Sequence, residues 1–330
     1  MNNLPIAVLY NEPVSGSGAD DWDVLDEVNL VEDALKELGI PCRRLAINTA
    51  FMTQIRELAA TGIRGVFNLV EAIDNKGELN YFIPALLNLH GIAYSGNPLE
   101  ALFITTSKRL THQMLDLHGI SVPASFKPTE WKNLVPGRKY ILKPVWEEGS
   151  AGITADSVFT FDGKIPGFLL EAADSHWQIE EFIEGREFNI SILQGENGPE
   201  VLPLAEIVFI DFAPARPRIV DYHAKWSPGS FEYEHTVRIF PELSGQPRLR
   251  EDLCKAAMDT WICLGLKGYA RIDMRVDESG KVNVLEANAN PCISPDSGFI
   301  AAAEKAGYTP ACVVRRILND MNNTRQHGNF

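Results

Sequence analysis

The chain has 330 residues, of which 45% are apolar and 22% are charged, and its formal net charge is −14. This composition excludes a disordered or fibrous protein, and the length predicts about two domains, or three small ones. Because an acidic surface repels polyanions, we expect neither nucleic acid nor a membrane as the main partner, although a small anion such as a nucleotide could bind in a local basic pocket.

The cysteines and the apolar stretches also restrict the class of protein. The five cysteines are odd in number and contain no Cys-x-x-Cys pair, which argues against a disulfide framework or a zinc site. The apolar run that begins at Leu4 is too short for a signal peptide, and the charge-free stretch Leu79–Leu99 contains proline, glycine and asparagine. The sequence therefore predicts a soluble cytoplasmic protein.

Strand and helix patterns alternate along residues 1–97, which predicts an N-terminal α/β domain built on a parallel sheet. The predicted elements are strands at Ile6–Tyr10, Arg44–Ala46 and Gly65–Val70 and helices at Asp26–Leu38, Thr53–Ala60 and Leu79–Leu89.

The remainder predicts two α+β domains, at 98–183 and 184–320, and a polar, flexible tail at 321–330. The central elements are a helix at Thr105–Leu117 and strands at Tyr140–Pro144, Ile153–Val158 and Gln178–Ile183. The later elements are strands at Glu187–Leu193, Val201–Phe209, Val237–Ile239, Tyr269–Val276 and Val282–Ala287 and a helix at Leu249–Leu264.

Residues 268–291 predict a β-hairpin, because the turn formers Asp277–Gly280 separate two strand-like runs. Counting outward from the turn sets Asp273 roughly opposite Glu286. Two facing carboxylates repel, so a positive group is expected between them.

Carboxylate and amide oxygens, here with Asn288 on the face of Glu286, suit Mg²⁺ better than Zn²⁺. The alternative is a solvated hairpin face on which Arg271 and Arg275 pair with the carboxylates.

Two earlier segments contain residues suited to a nucleotide. Lys143 ends a strand, and the small residues Gly149–Gly152 follow as a loop whose N–H groups could cover phosphates, although no Walker sequence is present. A plain hairpin turn is the alternative. Trp177–Phe188 carries four glutamates beside a Gly185 turn, which could bind a base and a ribose or form a solvated acidic edge.

In this order and spacing, the three segments resemble the ATP-grasp superfamily, and the nearest branch is that of the D-alanine–D-alanine ligases, from about Val66 to Tyr308. The resemblance implies an ATP-grasp fold in which the two α+β domains clamp ATP. It implies an ADP-forming carboxylate–amine ligase that proceeds through an acyl phosphate.

The resemblance also implies roles for individual residues. The ATP contacts would be Lys108, Lys143, Ser150, Glu180, Glu181, Ile183, Glu187 and Lys225. The lysines would reach phosphates, Glu180, Glu181 and Ile183 would face adenine, and Glu187 would face the ribose. The catalytic residues would be Arg271, Lys225 and Ser150. Two Mg²⁺ ions, or Mn²⁺ as the alternative, would be bound by Asp273, Glu286 and Asn288. Substrate positions would be Ser297 and Gly298 for the acceptor's carboxylate and Glu71, near a histidine of the family.

The substrate regions depart from the family pattern. Cys292 stands where a glycine is usual in the family, and it would be either a buried thiol or a nucleophile. Arg275 stands where the family has a hydrophobic adenine contact. Asp26 and Glu27 are both candidates for the family's first-helix glutamate. The carboxylates near that helix are Asp20, Asp21, Asp23, Asp26 and Glu27. They would either cap the helix as a solvated group or receive a substrate's ammonium or guanidinium group, and we expect D-alanine to be a poor substrate.

Two alternative functions remain open from the sequence, namely a nucleotide-binding protein without ligase turnover and an ester-forming ligase. The expected partners are a small-molecule carboxylate and an amine. The sequence is silent on oligomeric state, for which the resemblance suggests a homodimer.

Overall fold

The computed structural model describes residues 4–13, 19–146 and 149–326, without side chains at 19–21 and 322–326. Within these residues, the chain forms three β-sheets flanked by helices. The strands are β1 (Ile6–Asn11), β2 (Cys42–Ile47), β3 (Gly65–Leu69), β4 (Ser125–Phe126), β5 (Lys139–Pro144), β6 (Val158–Thr160), β7 (Trp177–Glu181), β8 (Arg186–Gly195), β9 (Gly198–Val201), β10 (Ala205–Phe209), β11 (Thr236–Ile239), β12 (Tyr269–Val276) and β13 (Val282–Asn288). The helices are α1 (Ala19–Glu37), α2 (Phe51–Ala59), α3 (Phe82–Leu89), α4 (Leu99–Thr106), α5 (Lys108–Leu117), α6 (Tyr222–Trp226), α7 (Phe231–His235), α8 (Pro247–Cys263), α9 (Gly298–Lys305) and α10 (Pro310–Gln326).

The first sheet is parallel, as the alternating strand and helix patterns predict, and its strand order is β2-β1-β3. Its central strand is buried on both faces, which explains its continuous apolar sequence. Ile6 and Val8 belong to a core shared with α1, α9 and α10, whereas Ala7 and Leu9 belong to a core shared with α2 and α3.

The second and third sheets are antiparallel. The second has the order β4-β7-β5-β6, and the third has the order β11-β10-β8-β12-β13, with β9 added to β8. Helices α4, α5 and α8 pack in the core of the third sheet. The face of β12 opposite this core carries charged side chains, and it forms one wall of a cleft.

Each sheet lies within one of the three predicted ranges, whereas some helices pack on a sheet that belongs to another range. Helices α4 and α5 lie in the range 98–183 but pack on the third sheet. Helix α10 packs on α1 and joins the first core to β8. The domain limits themselves stay a prediction.

Several predicted boundaries are wrong for local physical reasons. The predicted helix at Thr105–Leu117 is two helices, because Ser107 is extended and its Oγ accepts the N–H of Leu110 to cap α5. The predicted strand at Ile153–Val158 begins only at Val158, since the Thr154 N–H donates to Ser157 Oγ and closes a turn. Residues 201–209 form two strands rather than one.

The helical segments at both ends are longer than predicted. Helix α1 begins at Ala19 rather than at Asp26, and α9 and α10 have no counterpart among the predicted elements. Helix α10 continues to Gln326 through the predicted tail, because Met321 is buried against Gly65; residues 327–330 lie outside the described residues. In the described part of the chain, no helix is both long and apolar enough to cross a membrane.

Candidate active site

A cleft of about 1270 Å³ is lined by residues from all three sheets. The loop at 149–152, the α6 segment and the β12–β13 hairpin contribute to its walls, together with the N-termini of α1 and α9. The predicted site residues line this cleft with the exception of Lys108, which is buried next to Glu286.

The β12–β13 hairpin places its polar residues as the sequence predicts. Asp273 is the cross-strand partner of Glu286, and Arg271 is the partner of Asn288. A register shift follows Asp273, so the alternation is irregular from Met274 onward. The cleft therefore has two carboxylates and an amide side by side on one wall.

Cations surround this pair of carboxylates. Arg271 donates from Nε and Nη2 to the two oxygens of Asp273, both at 2.8 Å. Burial and the charge of Glu286 raise the pKa of Asp273 in spite of this contact. Although burial opposes ionisation of Glu286, the charges of Lys108, Lys225 and Arg271 lower its pKa to about 2. Positive groups thus stand beside the facing carboxylates, as expected.

Two lysines approach the hairpin from the rest of the molecule. Lys108 is buried at the start of α5, and its Nζ lies 3.8 Å from Glu286 Oε2. Lys143 donates from Nζ to Glu180 Oε2 at 2.7 Å. A third, Lys225 on α6, has its pKa lowered by burial and by the charge of Arg271.

Glu180 is buried in the cleft wall. Its carboxylate is 1% exposed, and it also accepts from Gln178 Nε2 at 2.5 Å. Burial raises its pKa, but the charges of Lys143 and His112 outweigh that effect, and the pKa is lowered overall. Glu181 instead lies nearer the surface and pairs with Arg138 at 2.8 Å.

Glu187, the predicted ribose contact, forms an ion pair with an arginine. Arg275 Nη2 lies 2.7 Å from Glu187 Oε2, and its Nη1 donates to the Ile183 carbonyl at 2.8 Å. The guanidinium also lies over the Phe182 ring at 5.0 Å. Arg275 is 3% exposed and Glu187 is 7% exposed, so this is a buried ion pair. The sequence singled out both residues but did not predict their pairing.

The loop at 149–152 is tied to the segment that carries α6. Ser150 has a positive φ of 66°, and its Oγ donates to the Val220 carbonyl at 2.7 Å. Trp226 Nε1 donates to the Gly149 carbonyl at 3.0 Å. The same segment brings Lys225 to the cleft. Residues 147 and 148 of the loop lie outside the described residues.

The end of the cleft beside α1 is acidic. Glu27 on α1 is buried, and its Oε2 accepts the backbone N–H of Ile293 at 2.9 Å. Burial raises its pKa to about 8, and the charge of Asp23 adds to this effect against the hydrogen bond from Ile293. Cys292 donates from Sγ to Asp23 Oδ2 at 3.0 Å. Burial and the charge of Glu27 raise the pKa of this thiol, so it is protonated rather than nucleophilic.

The other predicted substrate carboxylates are placed differently. Asp26 is exposed on α1 and is not part of the cleft wall. The side chains of Asp20 and Asp21 lie outside the described residues. Glu71 lines the cleft but is exposed, and its N–H donates to Asn11 Oδ1 at 2.8 Å.

A second arginine lies beside the predicted acceptor position. Ser297 caps α9 by accepting the Ile300 N–H at 3.2 Å, and Gly298 begins the helix. Arg238 on β11 donates from Nη2 to the Asp296 carbonyl at 2.8 Å. Arg238 lies in a predicted strand but has no predicted role; the only signal in the sequence is a single charge in an otherwise uncharged strand.

A cleft between two antiparallel sheets, with lysines, a glycine–serine loop and facing acidic residues, is the arrangement of the ATP-grasp superfamily. The family model "D-ala D-ala ligase C-terminus" matches residues 140–319. The chain belongs to the D-alanine–D-alanine ligase family, and it is an ATP-dependent, ADP-forming ligase.

Individual relatives agree with this assignment. The D-alanine–D-alanine ligase of Carboxydothermus hydrogenoformans is 32% identical over 247 residues, covering 72% of this chain and 75% of the relative. That of Haemophilus ducreyi is 27% identical and covers 96% of this chain and 98% of the relative. The crystal structure of the Bacillus anthracis enzyme complexed with ATP is 20% identical, covers 99% of this chain and 100% of that chain, and has a TM-score of 0.75. This last likeness establishes the fold.

Proposed function

We propose that this chain joins the carboxylate of one amino acid to the amine of another, with conversion of ATP to ADP and phosphate. The observation that carries the proposal is the pair Asp273 and Glu286 facing each other within reach of Lys108, Lys225 and Arg271. A solvated hairpin face would not require the buried Lys108 from α5 and the partly buried Lys225 from α6.

The cationic part of the cleft suits a polyphosphate. Lys108, Lys143 and Lys225 would contact phosphate oxygens, and the loop containing Ser150 would cover them. Glu180, which is held by Lys143, and Glu181 would lie near the adenine with the backbone of Ile183. Glu187 would reach the ribose while remaining paired with Arg275.

The donor set of the hairpin fits Mg²⁺. Asp273, Glu286 and Asn288 offer hard oxygen atoms on one wall, and a carboxylate has lone pairs to spare for a metal even when it accepts from Arg271. These three residues would hold one or two ions, with Mn²⁺ as the alternative. When bound, the metal would neutralise charge on the phosphates.

The chemistry requires activation of the donor. A carboxylate oxygen is a poor leaving group, so the donor carboxylate first attacks the terminal phosphate of ATP, and the bond to ADP breaks. The neutral amine of the acceptor then attacks the acyl carbon, the bond to phosphate breaks, and the amine proton is lost. Arg271 is positioned to stabilise the negative charge that develops on the transferred group. Exclusion of water by the loop would protect the acyl phosphate.

The acidic end of the cleft would bind the ammonium group of the donor. Asp23 and Glu27 both line it, and no cation forms an ion pair with either among the described residues. An ammonium group placed there would favour the ionised form of Glu27. Of the three candidate carboxylates whose side chains the structure describes, Asp23 and Glu27 line the cleft and Asp26 does not.

The test is ADP and phosphate release against a panel of D- and L-amino acids, including D-alanine, with mass analysis of the products. We expect Glu286→Gln to abolish turnover while changing ATP binding much less, because the metal ligand is lost and the lysines remain. Glu278→Gln is the matched control, since Glu278 is exposed in the turn of the same hairpin.

Turnover that persists in Glu286→Gln, or in excess chelator, would contradict the metal assignment. ATP binding without product from any pair would favour the nucleotide-binding alternative. A product formed only with hydroxy acids would favour the ester-forming alternative. A cytoplasmic location and a homodimer remain predictions that accompany this proposal.

A further inference from the structure

Arg238 is a half-buried cation in the cleft, on the edge strand of the third sheet. It is far in sequence from the nucleotide motifs, yet it lies close enough to Arg271 that the two charges repel. Two neighbouring guanidinium groups are costly unless an anion lies near both.

Arg238 has no carboxylate within ion-pair distance in the described part of the chain, although it donates to the Asp296 carbonyl. The carboxylate of Asp296 influences its charge from farther away and accepts from Ser294 Oγ instead. The guanidinium is thus held in place by a backbone bond while its charge stays largely uncompensated.

The surroundings of Arg238 favour a negatively charged ligand. Thr236, two residues earlier on the same strand face, has a buried Oγ1 for which the described residues provide no hydrogen-bond partner. Gly298 lies so close that a Cβ there would be 3.3 Å from Arg238 Nη1. The N-terminus of α9, which begins at this glycine, adds N–H groups and a positive partial charge.

We propose that Arg238 and Thr236 recognise an anionic side chain of the acceptor, so that the acceptor is an acidic amino acid. The inference rests on the proposed function and adds the class of acceptor. Ser297, Gly298 and Arg271 would contact the α-carboxylate, which any amino acid carries. Arg238, on the edge strand β11, provides a second cation for a second carboxylate.

The experiment measures kcat/KM for glutamate, aspartate and alanine as acceptors, in both stereochemical forms, with the donor held constant. We expect the wild type to prefer an acidic acceptor. Arg238→Gln should raise KM for the acidic acceptor by about ten- to hundred-fold, the usual worth of a charge-assisted hydrogen bond, with little change in kcat. Its KM for alanine should stay nearly constant.

Matched variants separate recognition from a structural role. Arg238→Lys should keep part of the preference for an acidic acceptor because the charge is kept. Thr236→Val should reduce this preference by a smaller factor than Arg238→Gln does. Arg250→Gln, an exposed arginine at the start of α8, is the control for loss of one positive charge. An equal rise in KM for acidic and neutral acceptors in Arg238→Gln would overturn the proposal.

A binding measurement keeps the test independent of turnover. Equilibrium dialysis with labelled glutamate and alanine, in the presence of ADP and Mg²⁺, should show tighter binding of glutamate to the wild type and loss of this difference in Arg238→Gln. Equal binding of the two amino acids to the wild type would overturn the inference. Turnover with neutral acceptors alone would also overturn it while leaving the proposed function intact.

Discussion

Glu27 provides a direct measure of how the acidic end of the cleft affects stability. The folded protein raises its pKa from an ordinary 4.5 to about 8, chiefly through burial, with a contribution from Asp23. Between these values the folded state binds a proton that the unfolded state releases. The free energy of unfolding therefore falls as the pH rises through this window, and the penalty is absent below its lower limit.

Glu27→Gln removes this penalty while keeping the shape and an acceptor for the Ile293 N–H. One pH unit corresponds to about 1.4 kcal/mol. The free energy of unfolding of the variant should therefore exceed that of the wild type by about 3 kcal/mol at about pH 7. This difference in the free energy of unfolding should disappear at about pH 4 and reach its full size above about pH 8. Because the side chain is only 4% exposed, solvent screening reduces this value little.

The assay is urea-induced unfolding of both proteins across this pH range, followed by tryptophan fluorescence. Asp26→Asn is the matched control, because Asp26 is the preceding residue on α1 and is exposed to solvent. A difference between Glu27→Gln and the wild type that stays constant with pH would refute the reasoning. The same pH dependence in Asp26→Asn would attribute the effect to net charge.

Two further predictions concern stability. Arg275→Leu should leave the Glu187 carboxylate buried without its partner and lower the free energy of unfolding by about 3–5 kcal/mol, with recovery in the double variant that adds Glu187→Gln. Arg138→Leu, which removes an exposed arginine, should lower the free energy of unfolding by at most about 1 kcal/mol in the same urea unfolding assay. Gly185→Ala should be strongly destabilising, because φ is 135° and a Cβ would overlap the backbone carbonyl oxygen of Val276 in β12. Gly167→Ala, where a Cβ meets nothing within 4 Å, should be tolerated, and equal melting temperatures for the two glycine variants would contradict this reading.

The hairpin of the candidate site was predictable from sequence because its geometry is local. A turn at Asp277–Gly280 and a side-chain period of two are enough to oppose Asp273 and Glu286. The parallel first sheet was predictable for the same kind of reason, since a buried strand has a continuous apolar run.

Contacts between distant segments could not be predicted in this way. Glu27 accepts from Ile293 across 266 positions of sequence, and no local pattern relates the two. Arg238 acquires its position only when β11 pairs with β10 and brings it to the start of α9. The pairing of Arg275 with Glu187 similarly depends on the register of β12 with β8.

The cleft contains groups of both charges, and burial opposes the charged form of each for the same physical reason. Burial raises the pKa of Asp23 and of Glu27, whereas burial and the charge of Arg271 lower the pKa of Lys225 and of Arg238. The hydrophobic cores on both sides of the cleft offset these costs. A ligand that is positive at one end and negative elsewhere compensates both groups, so its binding should stabilise the folded state as well as position the reactants. An amino acid bound beside a polyphosphate has this distribution of charge, which connects the electrostatics of the cleft to the proposed ligation.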